Sequence, residues 1–306
     1  MIINNLPAGR QVDNSMMNLK KVIIPAAGLA TRFLPISKVV PKELLPLADK
    51  PMISYVVKEA KAAGFQQVVF ILSENQKDCL AYFKPKPKLE AILEKRNQKD
   101  ALERLKASEQ EFGGVSFSYS LQNLPNGDGD AILKAKKQVG KAAFGVLFND
   151  DIFESKTPAI LQLKNIFETS QKPVIGLKKV SVDKLSSYGV AKVEKIANSL
   201  YKIKGLVEKP QAGVAPSDLA LCGRYILTPE VFGYLEKTAP NKKGEIILAE
   251  AIKMMIDDGK IVYGYEIEGD WLECGKIEDW MRSNIAMSLK HPEYGSALKA
   301  WVKRLK

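Results

Sequence analysis

The chain has 306 residues, a net charge of +11, and 46% hydrophobic and 26% charged side chains, the composition of an ordinary globular protein large enough for one large domain or two small ones. No apolar run approaches the roughly 18 residues that span a bilayer, and Cys79, Cys222 and Cys274, sparse and without a CxxC, argue for reduced thiols in a cytoplasmic setting and against a structural zinc site. The excess charge is mostly lysine spread along the chain, not arginine clustered with aromatics, which favours small phosphorylated partners over nucleic acid or a membrane surface.

Residues 1–19 are polar and aperiodic and lack the apolar core of a secretory signal. They are expected to form a loosely ordered extension, and Met16 and Met17 sit just upstream of the fold. From there apolar runs alternate with helical patterns. "KKVIIPAA" (20–27) predicts a buried strand, and "PMISYVVKEAKAAG" (51–64) a helix opened by Pro51 and closed by Gly64. "QQVVFIL" (66–72) predicts a strand and "VSFSYSLQ" (115–122) a period-two strand. Between them residues 85–110, rich in Glu, Lys and Leu, read as an inserted exposed helix or helical pair.

"GDAILKAKKQVG" (129–140) predicts a helix and "AAFGVLFND" (142–150) a buried strand ending in acids. A helix over 157–170 leads to a strand over 172–180. From Tyr188 the pattern shifts to the short strands "YGVAKVEKI", "SLYKIKGLVEK" and "LALCGRYIL", which suggest antiparallel hairpins. Helices follow over 245–259 and 277–290, with a strand over 260–268 between them. The fold class is therefore α/β: a Rossmann-like, mostly parallel mixed sheet flanked by helices, with a small antiparallel and helical C-terminal subdomain. Ligands of such sheets bind at the carboxyl ends of the strands.

The loop "PAAGLATRFLPISKVVPKELLP" (25–46) follows the first strand. It has neither the glycine spacing of a dinucleotide site nor the lysine of a P-loop. It does offer bare backbone at Ala27, Gly28 and Leu29, then Arg32, Lys38 and Lys42, a combination suited to a polyphosphate. A plain turn with solvated cations is the other reading of the same residues. The one histidine, His291, sits in "LKHPEYG", which reads as a helix end, so the chemistry is expected to need no histidine base.

"GLATRFLPISKVVPKELLPLADKPMI" resembles the signature of the sugar-phosphate nucleotidyltransferases, and more narrowly that of the bacterial UTP–glucose-1-phosphate uridylyltransferases. The resemblance runs from about Lys20 to Trp301, through "KLEAILEKR", "YGV", "GLVEKP", "LALCGRYIL" and "GEIILAEAI" in the family's order. It implies a nucleotidyltransferase domain over 20–290 and a helical tail over 291–306. It also implies a reaction of UTP with glucose 1-phosphate, in-line at the α-phosphate, that needs Mg²⁺ and no general base.

By the same resemblance Arg32 and Lys42 hold the triphosphate and the leaving pyrophosphate, and Lys209 binds the sugar phosphate. Ala27, Gly28 and Gln122 face the base, Leu29 and Glu43 also bind substrate, and Gly127 lets the backbone close over the nucleotide. Tyr188, Gly189, Glu208 and Gly223 line the sugar. Glu208 and Lys209, as strand neighbours, are expected to diverge towards different parts of one ligand. Asp150 and Glu273 take the metal. Asp150 and Asp151 read as consecutive strand residues facing opposite ways, so only one is expected to serve the site fully.

Three positions depart from the family pattern. Ala30 replaces the second glycine of the loop and, at positive φ, would cost about 1 kcal/mol. Asp130 stands where histidine is frequent, and Glu273 where aspartate is usual. These departures leave open dTTP or another hexose 1-phosphate as substrate, and a non-catalytic nucleotide-sugar sensor. A homo-oligomer, dimer or tetramer, is also left open, with Trp280 and Trp301 at an interface or capping the core.

Overall fold

Alternate residues of the first strands point into two separate cores, which explains why these strands read as continuous apolar runs. The computed structural model describes residues 19–211 and 213–305. The extension expected over residues 1–19 lies outside the described residues apart from Leu19, which is buried.

The strands are β1 (Lys21–Ala26), β2 (Pro46–Leu47), β3 (Lys50–Pro51), β4 (Gln67–Leu72), β5 (Ser116–Leu121), β6 (Phe144–Leu147), β7 (Asp151–Glu154), β8 (Val174–Lys179), β9 (Gly189–Ala197), β10 (Leu200–Glu208), β11 (Leu219–Leu227), β12 (Tyr263–Glu266) and β13 (Asp270–Glu273). The α-helices are α1 (Met52–Ala62), α2 (Pro87–Lys95), α3 (Lys99–Gln110), α4 (Asp128–Lys134), α5 (Lys136–Val139), α6 (Ala159–Ser170), α7 (Glu230–Leu235), α8 (Leu248–Asp257), α9 (Ile277–Lys290) and α10 (Gly295–Val302). No helix among the described residues is long and apolar enough to cross a membrane.

One nine-stranded sheet has the order β5-β4-β1-β6-β11-β8-β12-β10-β9. Its β5-β4-β1-β6 part is parallel, as is β8 with β12. β11 runs antiparallel to both β6 and β8, and β10 antiparallel to β12 and β9. β11 also pairs with β9, so the antiparallel strands of the second half continue the main mixed sheet.

Val22 and Ile24 of β1, with Val68, Phe70 and Leu72 of β4, pack against α1 and α6 through residues such as Val56 and Leu163. Ile23, Val69 and Ile71 face the other way, onto α4, α7 and α8 through Ile132, Phe232 and Ile252. Each such aliphatic side chain, fully buried, contributes roughly 1.5–3 kcal/mol. The inserted segment is a hairpin of α2 and α3 with no fully buried residue.

Three boundaries differ from expectation for local reasons. The strand expected over 142–150 ends at Leu147, and residues 148–150 turn before β7. The helix expected over 129–140 breaks at Ala135 into α4 and α5. The helix expected from 245 begins only at Leu248, because the Ile246 N–H donates to the Asn126 carbonyl (2.7 Å) and its carbonyl accepts from Gly129 (2.9 Å). A backbone pinned to a neighbouring loop on both sides cannot enter a helical ladder at that residue.

Candidate active site

In the sheet, β4 and β5 lie outward on one side of β1 and β6 lies on the other, so the strand order reverses at β1 and β6. Loops leaving the carboxyl ends of β1, β5 and β6 bound a crevice there, the position such sheets reserve for ligands. It consists of two cavities. The first, about 400 Å³, is lined by Ala27, Gly28, Leu29, Lys42, Glu43, Gln122 and Gly127. The second, about 290 Å³, is lined by Arg32, Tyr188, Gly189, Glu208, Lys209, Gly223 and Glu273. Asp128, Phe148 and Asp150 line both and form the shared wall. Folding therefore gathers all the candidate positions into one place, although they come from elements far apart in the chain.

Lys42 reaches this wall and donates to Asp150 Oδ2 at 2.7 Å. Burial works against the charge of both groups. Asp150, with Glu43 and Asp151, outweighs it and raises the pKa of Lys42. Lys42 and Arg32 in turn outweigh burial at Asp150 and lower its pKa. The pair is ionised at neutral pH, and either partner can be exchanged for a ligand charge of the same sign.

Asp150 is held by the turn between β6 and β7, so the strand alternation expected for Asp150 and Asp151 applies only to the second. Their side chains nonetheless diverge. Asp150 goes to Lys42, while Asp151 Oδ1 accepts from the Trp271 indole N–H at 2.8 Å. Burial, reinforced by the charge of Asp150 and relieved in part by Arg224, pushes Asp151 up to about 7. β7 pairs with β13 so that Glu273 stands opposite Asp151, and Cys274 donates its N–H to the Asp150 carbonyl at 2.7 Å. This two-stranded ribbon brings Glu273 to the acids of the turn. Gly223 packs against the same place at φ +66, where an added Cβ would fall 2.1 Å from Asp151 Oδ2. Only glycine fits there.

At the far end of the first cavity Gln122 Nε2 donates to the Gly127 carbonyl (3.0 Å) and to Asp130 Oδ2 (2.8 Å). Gly127 sits at φ +98 with Ile246 O only 2.4 Å from any added Cβ, so its freedom serves the approach to Ile246. Gln76 Nε2 donates to the Gly28 carbonyl (2.8 Å), and its Oε1 accepts from the Ser73 N–H (2.9 Å), which anchors the loop to the end of β4. Ala30 has φ 50 and ψ 39, so alanine occupies the left-handed region that favours glycine.

Two placements could not be read from the sequence. Glu43 lines the first cavity from beneath the loop, fully buried beside Asn149. Burial, only partly offset by Lys42, pushes it up to about 7. Glu208 and Lys209 do not diverge: Glu208 ends β10, Lys209 turns away at φ 45, and the two side chains meet at 2.9 Å. Tyr188 also does more than lend backbone, since its hydroxyl donates to Glu273 Oε2.

Sequence reasoning missed Asp128, Asn149, Gln76, Trp271 and Arg224. Asp128 Oδ1 accepts from the Leu248 N–H at 2.9 Å and so caps α8 from across the fold. Arg224 donates to the carbonyls of Phe148, Gly223 and Asp151. Its only signal in the sequence was a charge inside the apolar run "LALCGRYIL". His291 follows the last residue of α9, and its Nδ1 accepts from the N–H groups of Glu293 and Tyr294 in the turn that leads to α10.

For a metal, Asp150 and Glu273 present hard oxygen donors to the same cavity. Among the described residues no three His, Cys, Asp or Glu side chains converge on one point. That donor set fits a hard divalent cation whose remaining positions are filled by water or ligand phosphates, and suits Mg²⁺ better than a metal that needs a complete protein cage.

Comparison with known proteins shows the family. Residues 21–288 match the family described as nucleotidyl transferase. A UTP–glucose-1-phosphate uridylyltransferase of Staphylococcus epidermidis is 40% identical over 95% of this chain and 99% of its own length. One from Staphylococcus haemolyticus is 39% identical over the same shares. Among solved structures, a UTP-bound UGPase from Acinetobacter baumannii aligns with a TM-score of 0.87 at 32% identity, covering 94% of this chain and 100% of the other. A UDP-glucose pyrophosphorylase complexed with UDP-glucose aligns with a TM-score of 0.80 at 34% identity, covering 89% of this chain and 100% of the other.

Proposed function

The chain belongs to the nucleotidyltransferase family, and from its site we infer that it joins UTP to glucose 1-phosphate, forming UDP-glucose and releasing pyrophosphate. The observation that carries this reading is the wall of Asp128, Phe148 and Asp150 shared by two cavities of different chemistry. A nucleotide in the first and a sugar phosphate in the second would meet phosphate to phosphate at Asp150. The UTP-bound and UDP-glucose-bound relatives support that pairing of ligands.

The nucleophile is the sugar phosphate's own oxygen, already ionised at neutral pH. It attacks the α-phosphorus in line. A phosphorus–oxygen bond forms, the bond to the bridging oxygen of the β-phosphate breaks, and pyrophosphate leaves with the electron pair. No proton has to be removed, which suits a crevice without histidine.

The protein's work is to position two polyanions and compensate their charge. Lys42 and Arg32 do so for the triphosphate and the leaving pyrophosphate, with Lys42 exchanging Asp150 for phosphate oxygens. Lys209 takes the sugar phosphate and Glu208 accepts from sugar hydroxyls, with Tyr188, Gly189 and Gly223 as the wall. The backbone of Ala27 and Gly28 and the amide of Gln122 face the base. Asp150 and Glu273 would hold Mg²⁺, which supplies charge neutralisation at the phosphates when bound.

The same reading sets the enzyme in the cytoplasm, in keeping with three buried free thiols. Trp280 of α9 donates its indole N–H to the Pro46 carbonyl and packs on the core, while Trp301 is exposed on α10 and open to a dimer or tetramer contact. A panel of nucleoside triphosphates against sugar 1-phosphates, read by pyrophosphate release, tests the central reading. UTP with glucose 1-phosphate should give the highest kcat/KM. Absence of turnover with every pair would overturn it.

A further inference from the structure

Gln122 enters the nucleotide cavity with one hydrogen-bonding function left to offer. Its Nε2 carries two N–H donors. One goes to the Gly127 carbonyl at 3.0 Å and the other to Asp130 Oδ2 at 2.8 Å. Both partners only accept, so the network itself orients the amide: the flipped amide would set its oxygen against a carbonyl and a carboxylate. Among the described residues nothing donates to Gln122 Oε1, which leaves that oxygen for a ligand in the cavity Gln122 lines. Gln122 and Asp130 are 4% and 6% exposed, so water competes little for their bond. Lys134, one turn on along α4, lies 3.3 Å from the other carboxylate oxygen, Oδ1.

We propose that Asp130 is a positioning residue for base selection, holding Gln122 so that an acceptor oxygen, and no donor, faces the nucleobase. The inference rests on the reading above that this cavity takes the nucleotide. A base with a ring N–H at that edge, such as N3–H of uracil, satisfies Oε1. Cytosine presents a lone pair at N3, so two acceptors would meet in a desolvated contact, the arrangement that sites discriminate against most strongly. Donation to a carboxylate also polarises the amide and makes its oxygen a better acceptor. Thymine carries the same N3–H, so Asp130 separates UTP from CTP and not UTP from dTTP.

The test compares kcat/KM for UTP and CTP, with glucose 1-phosphate, in the wild type, Asp130→Ala and Asp130→Asn. Asp130→Ala should narrow the preference for UTP by about tenfold, the scale of one lost charge-assisted hydrogen bond. Most of the change should appear as a higher KM for UTP. Asp130→Asn, whose Oδ1 can still accept from Gln122, should keep most of the preference. Asp130→Leu, close in volume, carries the same expectation as alanine if that variant does not fold. An unchanged UTP-to-CTP ratio, or equal loss for both, overturns the proposal. A wild type that does not use UTP overturns the underlying reading instead.

Discussion

Arg224 and Glu59 form a two-pronged ion pair in the interior, with Nε 3.0 Å from Oε1 and Nη2 2.8 Å from Oε2, and Arg224 has no exposed surface. Arg224 spends its other donors on the carbonyls of Phe148, Gly223 and Asp151. Glu59 also accepts from the N–H of Ile160 at the start of α6. The pair therefore joins α1, β11 and α6 to the turn that presents Asp150, and Asp150 stands between two carbonyls that Arg224 holds.

Arg224→Met should lower unfolding free energy in urea by about 3–5 kcal/mol, because it leaves Glu59 buried without a partner. The double variant Arg224→Met/Glu59→Leu should recover much of that loss, since an apolar pair removes the stranded charge. Turnover should stay low in both, because the carbonyls flanking Asp150 have lost their donors. Wild-type turnover in the double variant would show that Arg224 does nothing for the turn.

Asp150→Asn should reduce turnover by about 10²–10³-fold or more while leaving the circular dichroism spectrum and melting curve close to wild type. Chelation of divalent cations should abolish turnover of the wild type, and Mg²⁺ should restore it. Near-normal Mg²⁺-dependent rates in Asp150→Asn would remove this residue from the metal site.

Lys209→Ala should raise KM for glucose 1-phosphate by about tenfold or more, the worth of one charge-assisted contact, with little effect on UTP binding. The Glu208–Lys209 pair is partly solvated, so removing the lysine should cost little stability. Steady-state kinetics with each substrate varied separately decides this. Equal losses for both substrates would contradict a role at the sugar phosphate.

Ala30→Gly should stabilise the fold slightly. Alanine in the left-handed region costs about 1–2 kcal/mol, whereas glycine loses roughly 0.5–1 kcal/mol more entropy on folding. The difference leaves a gain of about 0.5–1 kcal/mol, measurable by denaturant unfolding. A destabilised Ala30→Gly would mean that loop rigidity outweighs the backbone strain.

Asp128 links stability to pH. Burial, with Glu208 beside it and only partial relief from the Leu248 N–H, pushes its carboxyl from 3.8 to about 6. The folded state thus binds this proton more tightly than the unfolded chain, so the contribution of Asp128 is fully present below about pH 4 and is lost as pH rises through about 6. Asp128→Asn keeps an oxygen for Leu248 but does not titrate. Its melting temperature relative to wild type should therefore rise between pH 4 and pH 7, and a pH-independent difference would contradict the shift.

Much of this was legible in the chain itself. Strands buried on both faces leave continuous apolar runs, and the surface hairpin of α2 and α3 announced itself by its Glu, Lys and Leu content. The loop after β1 was readable because backbone and cations at that place suit phosphate. What failed to read were a contact between segments distant in sequence and a departure from regular strand geometry. The burial of Glu43 depends on how residues 31–44 fold back over Asn149. Glu208 and Lys209 read as diverging strand neighbours, and a single positive φ at Lys209 brought them together.

The sequence by itself determined the α/β class, the positions of most elements and the residue types offered to the ligands, because local periodicity and turn chemistry act over a few residues. Only the tertiary structure decided which acids meet. The β7–β13 ladder sets Glu273 opposite Asp151, the Arg224–Glu59 pair fixes the turn of Asp150, and Asp130 orients Gln122. The first two depend on register and burial between segments more than a hundred residues apart, and the third on how the loop between β5 and α4 folds back, so no periodicity encodes them.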